Sequence, residues 1–206
     1  MNKIEIYDAI KYAFLNNKEN QIIGLKGMAS TIDQKNPIAF GFMTKSSKEL
    51  FNKVEIEIGL KFNSQVDLQK IKTIDDLKAI TNAKIYLEFL NAHNLDFVST
   101  IKNNGFFSKH YELTRIENFD KLKVNFLDAL NSAENDTLPY GTVKRLKNSC
   151  PYFVALEMIN TLKEIKVFDT VPKDFIIITG SLVVPIAKTT GKLIVQVNDK
   201  EFEVSL

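Results

Sequence analysis

Two glutamates, Glu55 and Glu57, stand two positions apart in a mostly apolar segment, KVEIEIGLKF (residues 53–62). Because successive side chains of a strand point to opposite faces, the glutamates share one face and the alternate apolar residues share the other. This alternation is typical of a half-buried strand with one solvated face. Two carboxylates ~6.6 Å apart repel each other by about 2.5 kcal/mol at an effective dielectric constant of about 20, and a divalent cation would turn that repulsion into attraction. The pair is therefore either a solvated face or part of a metal site.

A third carboxylate, Glu88, lies in AKIYLEFLNA (residues 83–92), which is apolar on both faces and indicates a strand buried on both sides. A charged group there costs several kcal/mol unless it is paired or bound to a metal. Glu88 therefore either pairs with a buried lysine or arginine or joins Glu55 and Glu57 as a metal ligand. Three carboxylates with water form an all-oxygen site, which suits Mg²⁺ or Mn²⁺ better than zinc.

The hydrophobic spacing along the chain predicts a mixture of helices and strands. Predicted helices cover residues 4–17, 73–80 and 151–165. Predicted strands cover residues 53–62, 83–92, 175–181, 192–197 and 201–206, with a further short strand at 139–146. Segments 36–43 and 101–108 contain glycine or proline and are interpreted as a connector and a turn. Helices and strands do not alternate regularly, so the pattern predicts a strand-rich α+β fold.

Local signals support several of these boundaries. Thr73 with Asp76 three residues later predicts a capping box at the start of the second helix. Pro151 suits the first turn of the third helix. Residues 198–200 predict a tight hairpin between the last two strands. The single cysteine, Cys150, excludes an intramolecular disulfide framework, fits a reducing compartment, and is interpreted as structural.

Length and composition exclude several classes of protein. The chain has 206 residues, enough for one domain or at most two, with 45% hydrophobic and 25% charged residues as in ordinary soluble proteins. The net charge is +2 and the lysines are scattered, so nothing favours nucleic-acid binding. The start lacks the apolar segment of a signal peptide, and no apolar run approaches the ~20 residues of a membrane span. We expect a cytoplasmic protein with no nucleic-acid or membrane partner.

Several features follow one another in a specific order. Lys26 lies in GLKGMAS, the E-x-E pair of Glu55 and Glu57 lies in VEIEIGL, and Glu88 follows in a buried strand. The remaining features are Phe40-Gly41, the helix over 151–165, KDFIIITGSL (173–182) and the closing hairpin over 192–206. This order resembles the 2-keto-4-pentenoate hydratase and oxalocrotonate decarboxylase group of the fumarylacetoacetate-hydrolase superfamily, and the resemblance spans nearly the whole chain.

The resemblance implies a strand-rich mixed β-barrel or roll of the fumarylacetoacetate-hydrolase type with a few helices. Residues 1–206 would form a single domain, in which a helical N-terminal part, residues 1–50, packs on a β-roll of residues 51–206. We also expect a homo-oligomer.

The resemblance further implies a metal-dependent lyase with Mg²⁺ or Mn²⁺ bound by Glu55, Glu57 and Glu88. The substrate would be a small 2-oxo acid that chelates the metal through its carboxylate and its 2-oxo oxygen. Lys26 would be catalytic, either lying against the substrate carboxylate or shuttling a proton. The expected reaction is hydration of the 2-keto-4-pentenoate type or decarboxylation.

The remaining site residues are also implied by the resemblance. Thr179, Gly180 and Ser181 would line the pocket through backbone and hydroxyl hydrogen bonds. His93 and His110 are the only histidines, and each could be a general base. We expect surface or structural roles for both.

The sequence also departs from the family pattern. Asn103 or Asn104 stands where the family's turn carries an aspartate, and SCP replaces G-H-P before the long helix. These departures favour a second hypothesis, a non-catalytic or degenerate member of the same fold that acts as a binding or scaffold module. A third hypothesis is an unrelated α+β domain in which Glu88 pairs with a lysine.

Overall fold

The computed structural model describes residues 2–28, 38–45, 50–127, 151–182, 185–187 and 190–206. Its α-helices are α1 (Lys3–Asn17), α2 (Ile74–Ile80), α3 (Phe97–Lys102) and α4 (Pro151–Ile165). Its strands are β1 (Ile22–Gly27), β2 (Phe40–Thr44), β3 (Lys53–Phe62), β4 (Val66–Asp67), β5 (Thr81–Leu90), β6 (Phe107–Arg115), β7 (Val124–Phe126), β8 (Thr170–Val171), β9 (Ile176–Ser181), β10 (Lys192–Val197) and β11 (Lys200–Ser205). Within these ranges, no helix combines the length and apolar character that a membrane crossing requires.

A six-stranded sheet forms the centre of the fold, in the order β2-β1-β9-β3-β5-β6. Strands β1 and β9 are parallel, and the other neighbours are antiparallel. The edge strands β2 and β6 contact each other, so the sheet curls towards a barrel. The predicted strand-rich α+β fold is therefore confirmed. Two smaller sheets, β11-β10-β7 and β4-β8, complete the described strands.

The outer face of the curled sheet forms the main hydrophobic core. Helices α1 and α4 pack there, with α4 against β1, β3 and β9. Their buried side chains are Ile6, Ala9, Ile10, Ala13, Val154, Ala155, Met158, Ile159, Leu162 and Ile165. Strand β3 contributes its alternate apolar residues, as the sequence pattern predicts. Because each large buried side chain contributes about 1.5–3 kcal/mol, this face stabilises the sheet whose inner face carries charged groups.

The inner face of the sheet holds a second buried cluster, formed by Met43, Tyr86, Phe107, Ile176 and Ile178. Polar groups lie along the same face on either side of this cluster, because side chains two apart on a strand share a face. The cluster therefore separates the barrel interior into two ends.

The two ends differ in their charged residues. The carboxylate end, where β3 begins and β5 finishes, carries Lys26, Glu55, Glu57 and Glu88. The lysine end, where β3 finishes and β5 begins, carries Lys61, Lys84 and Glu112. The antiparallel register of β3 and β5 fixes this separation.

Most predicted elements are confirmed. The helices predicted over 4–17, 73–80 and 151–165 are present, and Thr73 and Asp76 form the expected capping box. The five strands predicted over 53–62, 83–92, 175–181, 192–197 and 201–206 lie within two residues of their expected bounds. The hairpin at 198–200 joins β10 to β11, with Asn198 at φ 54°. The strand predicted at 139–146 and Cys150 lie outside the described residues.

The predictions for the N-terminal region need correction. Residues 36–43 are not simply a connector, because β2 begins at Phe40. Residues 1–50 are not a helical part on a separate roll, because β1 and β2 are two strands of the central sheet. Gly41 supported the interpretation as a connector, but a Cβ there would clash with the backbone of Asn104, so glycine marks a close approach within the strand.

The predicted turn over 101–108 is shorter than expected. Helix α3 continues to Lys102 and β6 begins at Phe107, which leaves only residues 103–106 between them. Three consecutive residues there, Asn104, Gly105 and Phe106, have positive φ angles of 57°, 61° and 65°. The single domain over 1–206 and the homo-oligomer stay predictions.

Candidate metal centre

Strands β1, β3 and β5 bring four predicted site residues together at the carboxylate end. Glu55 and Glu88 are direct partners in the antiparallel register of β3 and β5. Because opposed side chains lie ~4.5–5.5 Å apart at Cβ, this register places the two carboxylates side by side. Glu57 lies two residues further along the same face of β3, and Lys26 comes from β1, on the other side of β9.

The Lys26 ammonium lies among all three carboxylates. Its Nζ pairs with Glu88 Oε2 and lies 3.4 Å from Glu55 Oε2 and 3.8 Å from Glu57 Oε1. Glu88 is 0% exposed, Glu57 2% and Lys26 6%, whereas Glu55 is only partly buried. The predicted clustering of the three glutamates is present. The alternative in which Glu88 pairs with a lysine is present as well, and that lysine is Lys26.

Burial and charge oppose each other in this cluster. Burial would lower the pKa of Lys26, but attraction to Glu88, Glu57 and Glu55 outweighs it and holds the pKa above its ordinary value. Burial raises the pKa of Glu88 to about 7 despite the attraction of Lys26. Burial and the nearby charge of Glu88 raise the pKa of Glu57 well above its usual range. For Glu55, burial is outweighed by Lys26, and the pKa is lowered. One ammonium therefore supplies too little positive charge for three carboxylates.

One oxygen of the cluster is orphaned. Glu88 Oε1 is buried and has no hydrogen-bond partner in the described part of the chain. An unsatisfied buried acceptor costs about 1–3 kcal/mol, and more for a charged group. Glu55, Glu57 and Glu88 each offer one oxygen within 4.8 Å of the others. This spacing and the all-oxygen donor set fit a hard divalent cation, which would supply both the missing charge and a partner for Glu88.

A bulge in β9 fixes the position of Glu57. The register of β3 and β9 shifts beside this residue, and the Gly180 N–H donates to Glu57 Oε2 at 3.1 Å. Ser181 lies opposite Glu57 in the register, and both Gly180 and Ser181 line the cavity above the cluster. The buried hydroxyl of Thr179 instead donates to the Ile58 carbonyl at 3.2 Å. Thr179 is not among the described residues that line the cavity, and a role for it in the pocket stays a prediction.

A cavity of about 370 Å³ opens above the cluster. Its charged side carries Lys26, Glu55 and Glu57. The rest of the lining includes the apolar residues Met28, Leu90, Leu95 and Phe97 and the polar residues Thr100 and Ser181. The cavity therefore offers both charged and apolar groups to a small ligand.

Gly105 shapes the wall next to Lys26. Its φ is 61°, and a Cβ at this position would come within 3.3 Å of the Lys26 side chain and 3.2 Å of Met28. A larger residue would be strained and would press on the lysine. Glycine at this position therefore keeps the room in which the Lys26 side chain reaches the carboxylates.

Comparison by sequence finds no match to this chain, whereas comparison by structure finds several similar proteins. No protein-family model and no curated protein matches the chain. Among solved structures, 4-oxalocrotonate decarboxylase from Pseudomonas putida G7 in complex with calcium and acetate has a TM-score of 0.70 at 14% identity, over 98% of this chain and 89% of that chain. A fumarylacetoacetate hydrolase family protein from Yersinia pestis CO92 has a TM-score of 0.58 at 9% identity, over 90% of this chain and 92% of that chain. The chain has the fumarylacetoacetate-hydrolase fold.

A second structure of the decarboxylase, in complex with magnesium and adipate, has the same TM-score of 0.70 at 15% identity, over 98% of this chain and 85% of that chain. The likeness therefore covers almost the whole chain. It establishes the fumarylacetoacetate-hydrolase fold for a sequence whose identity to these proteins is low.

Both histidines of the chain, His93 and His110, pack against aromatic side chains. His110, on β6, is the register partner of Glu88 and packs against Tyr86 with 5.7 Å between ring centroids. Burial lowers the pKa of His110 below its usual value. His93 packs edge-on against Phe106 at 6.0 Å and is not among the described lining residues of the cavity. Neither histidine is therefore assigned a catalytic role.

Asn103 and Asn104, one of which is expected from the resemblance to replace an aspartate, form hydrogen bonds in the loop before β6. The Asn103 side chain donates to the Ser99 carbonyl at 2.8 Å. Asn104 Oδ1 accepts from the Phe42 N–H at 3.4 Å and from the Asn17 amide at 3.3 Å. Both side chains thus form hydrogen bonds within the framework of the fold.

Sequence reasoning missed the apolar residues that line the cavity, and it gave a lysine partner for Glu88 only as an alternative without naming Lys26. Leu90 and Phe97 carry no sequence signal that separates them from ordinary core residues, and Leu95 resembles a loop residue. Lys26 and Glu88 are 62 residues apart, and no local pattern reports contacts over such a separation.

Proposed function

We propose that the protein is a metal-dependent enzyme acting on a small 2-oxo acid, with Mg²⁺ or Mn²⁺ held by Glu55, Glu57 and Glu88. The observation that carries the proposal is the buried carboxylate cluster in which Glu88 Oε1 lacks a partner in the described protein. The fold supports it, because 4-oxalocrotonate decarboxylase, which this chain resembles in structure, was solved with calcium and with magnesium.

A divalent ion bound at this site would supply Lewis-acid polarisation of a substrate carbonyl oxygen. The chain would supply rigid ligands. The register of β3 and β5 fixes Glu55 beside Glu88, and the Gly180 N–H holds Glu57 from β9. Because strands position all three carboxylates, a cation would require little movement of the backbone, but the Lys26 ammonium would have to withdraw from Glu88.

Lys26 would contribute a fixed positive charge. Burial would lower its pKa, but the three glutamates raise it, so Lys26 is an ammonium at neutral pH and acts as a cation rather than as a base. Lys26 also lines the cavity. Its ammonium is therefore close enough to the cavity to hold the carboxylate of a substrate. A metal would compete with Lys26 for the same carboxylate oxygens.

The reactions we propose are addition of water to a conjugated double bond, of the 2-keto-4-pentenoate type, and loss of CO₂. Both require polarisation of the 2-oxo group beside the reacting carbon chain, so one site can serve either reaction. The protein would then be a hydro-lyase or a carboxy-lyase.

Turnover tests the proposal directly. The purified protein with Mg²⁺ or Mn²⁺ should consume 2-hydroxypenta-2,4-dienoate or a similar dienol acid, measured by loss of its ultraviolet absorbance. Chelation should abolish this activity, and Glu88→Gln should nearly abolish it. Glu112→Gln, at the lysine end of the barrel, is the matched control and should stay active. Absence of metal-dependent turnover with any 2-oxo acid would contradict an enzymatic function.

The second candidate is a non-catalytic protein of the same fold. It is favoured by Asn103 and Asn104, whose side chains hold the loop and which stand where the family carries an aspartate. Such a protein would bind Mn²⁺ and oxalate but turn over no 2-oxo acid. Calorimetric binding of both ligands, combined with an inactive substrate panel, would identify it.

A further inference from the structure

Three consecutive residues beside Lys26 have left-handed backbone conformations that the proposed chemistry does not explain. The φ angles of Asn104, Gly105 and Phe106 are 57°, 61° and 65°. Asparagine and glycine tolerate this conformation, whereas a bulky residue such as phenylalanine rarely adopts it. Such strain persists only where the surrounding structure holds the backbone in place, and it is concentrated at functional sites.

Contacts with three other elements hold this left-handed turn, residues 104–106. The backbone of Asn104 packs against Gly41 of β2, where an added Cβ would lie 2.2 Å from it. The side chain of Asn104 accepts a hydrogen bond from the amide of Asn17, at the end of α1. The Phe106 carbonyl accepts from the Asn91 N–H at 3.0 Å, directly after β5. The turn is therefore anchored on both sides of Gly105.

Two glycines bring the turn onto the side chain of Lys26. Gly41 is the cross-strand partner of Lys26 in the register of β1 and β2, and its missing side chain leaves space for the turn there. Gly105 faces the lysine itself, because an added Cβ would lie 3.3 Å from both Cδ and Cε of Lys26. The same Cβ would lie 3.2 Å from Met28. The turn thus forms a wall along the aliphatic part of the lysine.

The other end of the Lys26 side chain is fixed by the carboxylates. Its ammonium pairs with Glu88 and lies 3.4 Å from Glu55 Oε2. Because the ammonium already contacts Glu88, the side chain has no room to move further towards the glutamates. An added Cβ at Gly105 would therefore draw the ammonium away from them, since the anchored turn resists the opposite movement.

We propose that Gly105 is a positioning residue for Lys26. The left-handed turn sets the course of the lysine side chain and so holds its ammonium between the carboxylates and the cavity. The inference deepens the proposed function and rests on it for the role of Lys26 towards a substrate. It also predicts that competition between Lys26 and a metal for the carboxylates depends on Gly105.

The position of the ammonium can be followed without any metal. In ¹H–¹⁵N correlation spectra of lysine ammonium groups, the Lys26 signal is identified by its loss in Lys26→Ala. This signal should shift in Gly105→Ala and stay unchanged in Gly191→Ala. Gly191 is the matched control, because its φ is 89° and no described atom lies within 4 Å of an added Cβ. An unchanged Lys26 signal in Gly105→Ala, or an equal shift in both variants, would overturn the inference.

Mn²⁺ affinity shows whether Gly105 acts through Lys26. In isothermal titration, Gly105→Ala should bind Mn²⁺ at least about threefold more tightly than the wild type, because a displaced ammonium competes less for the carboxylates. Gly191→Ala should bind Mn²⁺ like the wild type. In a Lys26→Ala background, Gly105→Ala should have no further effect, since the side chain that it displaces is absent. An effect that persists in this background would overturn the inference.

Two further outcomes are distinguishable. Failure of the wild type to bind Mn²⁺ would contradict the proposed function, and the ammonium spectra would then decide the positioning role alone. If Gly105→Ala does not fold, Gly105→Asn and Gly191→Asn repeat the comparison with a residue that tolerates left-handed backbone. The same shift of the Lys26 signal is expected in Gly105→Asn only.

Discussion

The two ends of the barrel interior differ in their balance of charge. At the carboxylate end, one ammonium faces three carboxylates, of which Glu57 and Glu88 are buried and Glu55 is partly buried. At the lysine end, Glu112 pairs with Lys84, lies 3.3 Å from Lys61 and accepts from the Tyr86 hydroxyl at 3.3 Å. Lys61 also lies 3.5 Å from Asp174. Strands β3 and β5 contribute to both ends, whereas β1 supplies Lys26 at the carboxylate end and β6 supplies Glu112 at the lysine end.

The pKa values show what this difference means. Burial raises the pKa of Glu88 to about 7, because one lysine does not compensate the cluster. Burial acts on Glu112 in the same direction, but hydrogen bonds from Lys84 and Lys61 outweigh it and lower the pKa of Glu112. The lysine end is therefore satisfied within the protein, whereas the carboxylate end has room for a further cation. We infer a structural role for the first and a functional role for the second.

Removal of one lysine at each end should give the largest difference. Lys26→Met should destabilise the metal-free protein by about 3–5 kcal/mol, because it leaves the buried carboxylates of Glu57 and Glu88 and the partly buried Glu55 without a cation. Lys84→Met should cost less than about 1 kcal/mol, because Glu112 is partly exposed and keeps Lys61. Chemical denaturation of both variants measures this difference.

Mn²⁺ provides the control for these two variants. It should stabilise Lys26→Met more than the wild type, because the ammonium no longer competes for the carboxylates. It should act on Lys84→Met as on the wild type. Equal destabilisation by Lys26→Met and Lys84→Met would contradict the claim that the two ends of the barrel differ in their charge balance.

Neutralisation of one carboxylate at each end should separate metal binding from structure. Glu88→Gln should weaken Mn²⁺ binding by at least about 100-fold, because a charged ligand is lost while its volume is kept. Glu112→Gln should leave Mn²⁺ binding unchanged. Isothermal titration measures both affinities, and a similar loss in both variants would show that the effect is not specific to the site.

The metal-free protein should lose stability as pH rises from about 5.5 to about 8. Glu88 has a pKa of about 7 in the folded protein, against an ordinary value of 4.5, so only the folded state binds its proton in this window. Deprotonation then disfavours folding, by roughly 2 kcal/mol. Glu57 acts in the same direction, and His110, whose pKa is lowered, acts in the opposite one.

A comparison of variants isolates the contribution of Glu88. In denaturation curves at several pH values, Glu88→Gln should show a weaker pH dependence than the wild type. Glu112→Gln should keep the wild-type dependence, because the pKa of Glu112 is lowered and this group stays ionised throughout the window. An unchanged dependence in Glu88→Gln would show that another group titrates.

The smallest effect should come from the buried cluster between the two ends. Tyr86→Phe removes one hydroxyl that donates to Glu112 and keeps the buried ring. It should cost about 0.5–1.5 kcal/mol in stability and leave Mn²⁺ affinity unchanged. A change in affinity, measured by titration, would mean that the two ends are coupled through the barrel interior.

Local sequence patterns were sufficient to predict some of the strands and site residues. The alternation in residues 53–62 predicts β3 and places Glu55 and Glu57 on one face, because side chains of a strand alternate strictly. Glu88 stood out because a charged residue in a strand that is apolar on both faces needs a partner. Only Glu88 conflicts with an ordinary core, whereas Glu55 and Glu57 also fit the solvated face of a half-buried strand.

The pairing of strands that lie far apart in the sequence could not be predicted from local patterns. Strand β9 pairs with β1 in parallel and with β3 in antiparallel orientation, and this arrangement brings Lys26 to the glutamates. β1 and β2 contain Gly24 and Gly41, which weaken the strand signal although close backbone contacts require them. The sequence did not predict the apolar residues that line the cavity, because nothing in it distinguishes Leu90 from an ordinary core leucine.

Metal binding by the three glutamates is tested most directly by a crystal structure of the protein with Mn²⁺ and oxalate, using anomalous diffraction. We predict one anomalous peak with an oxygen of Glu55, of Glu57 and of Glu88 each within ~2.0–2.6 Å. Glu88 should then no longer pair with Lys26. No anomalous density between these residues at saturating Mn²⁺, with Lys26 still paired to Glu88, would contradict the metal site.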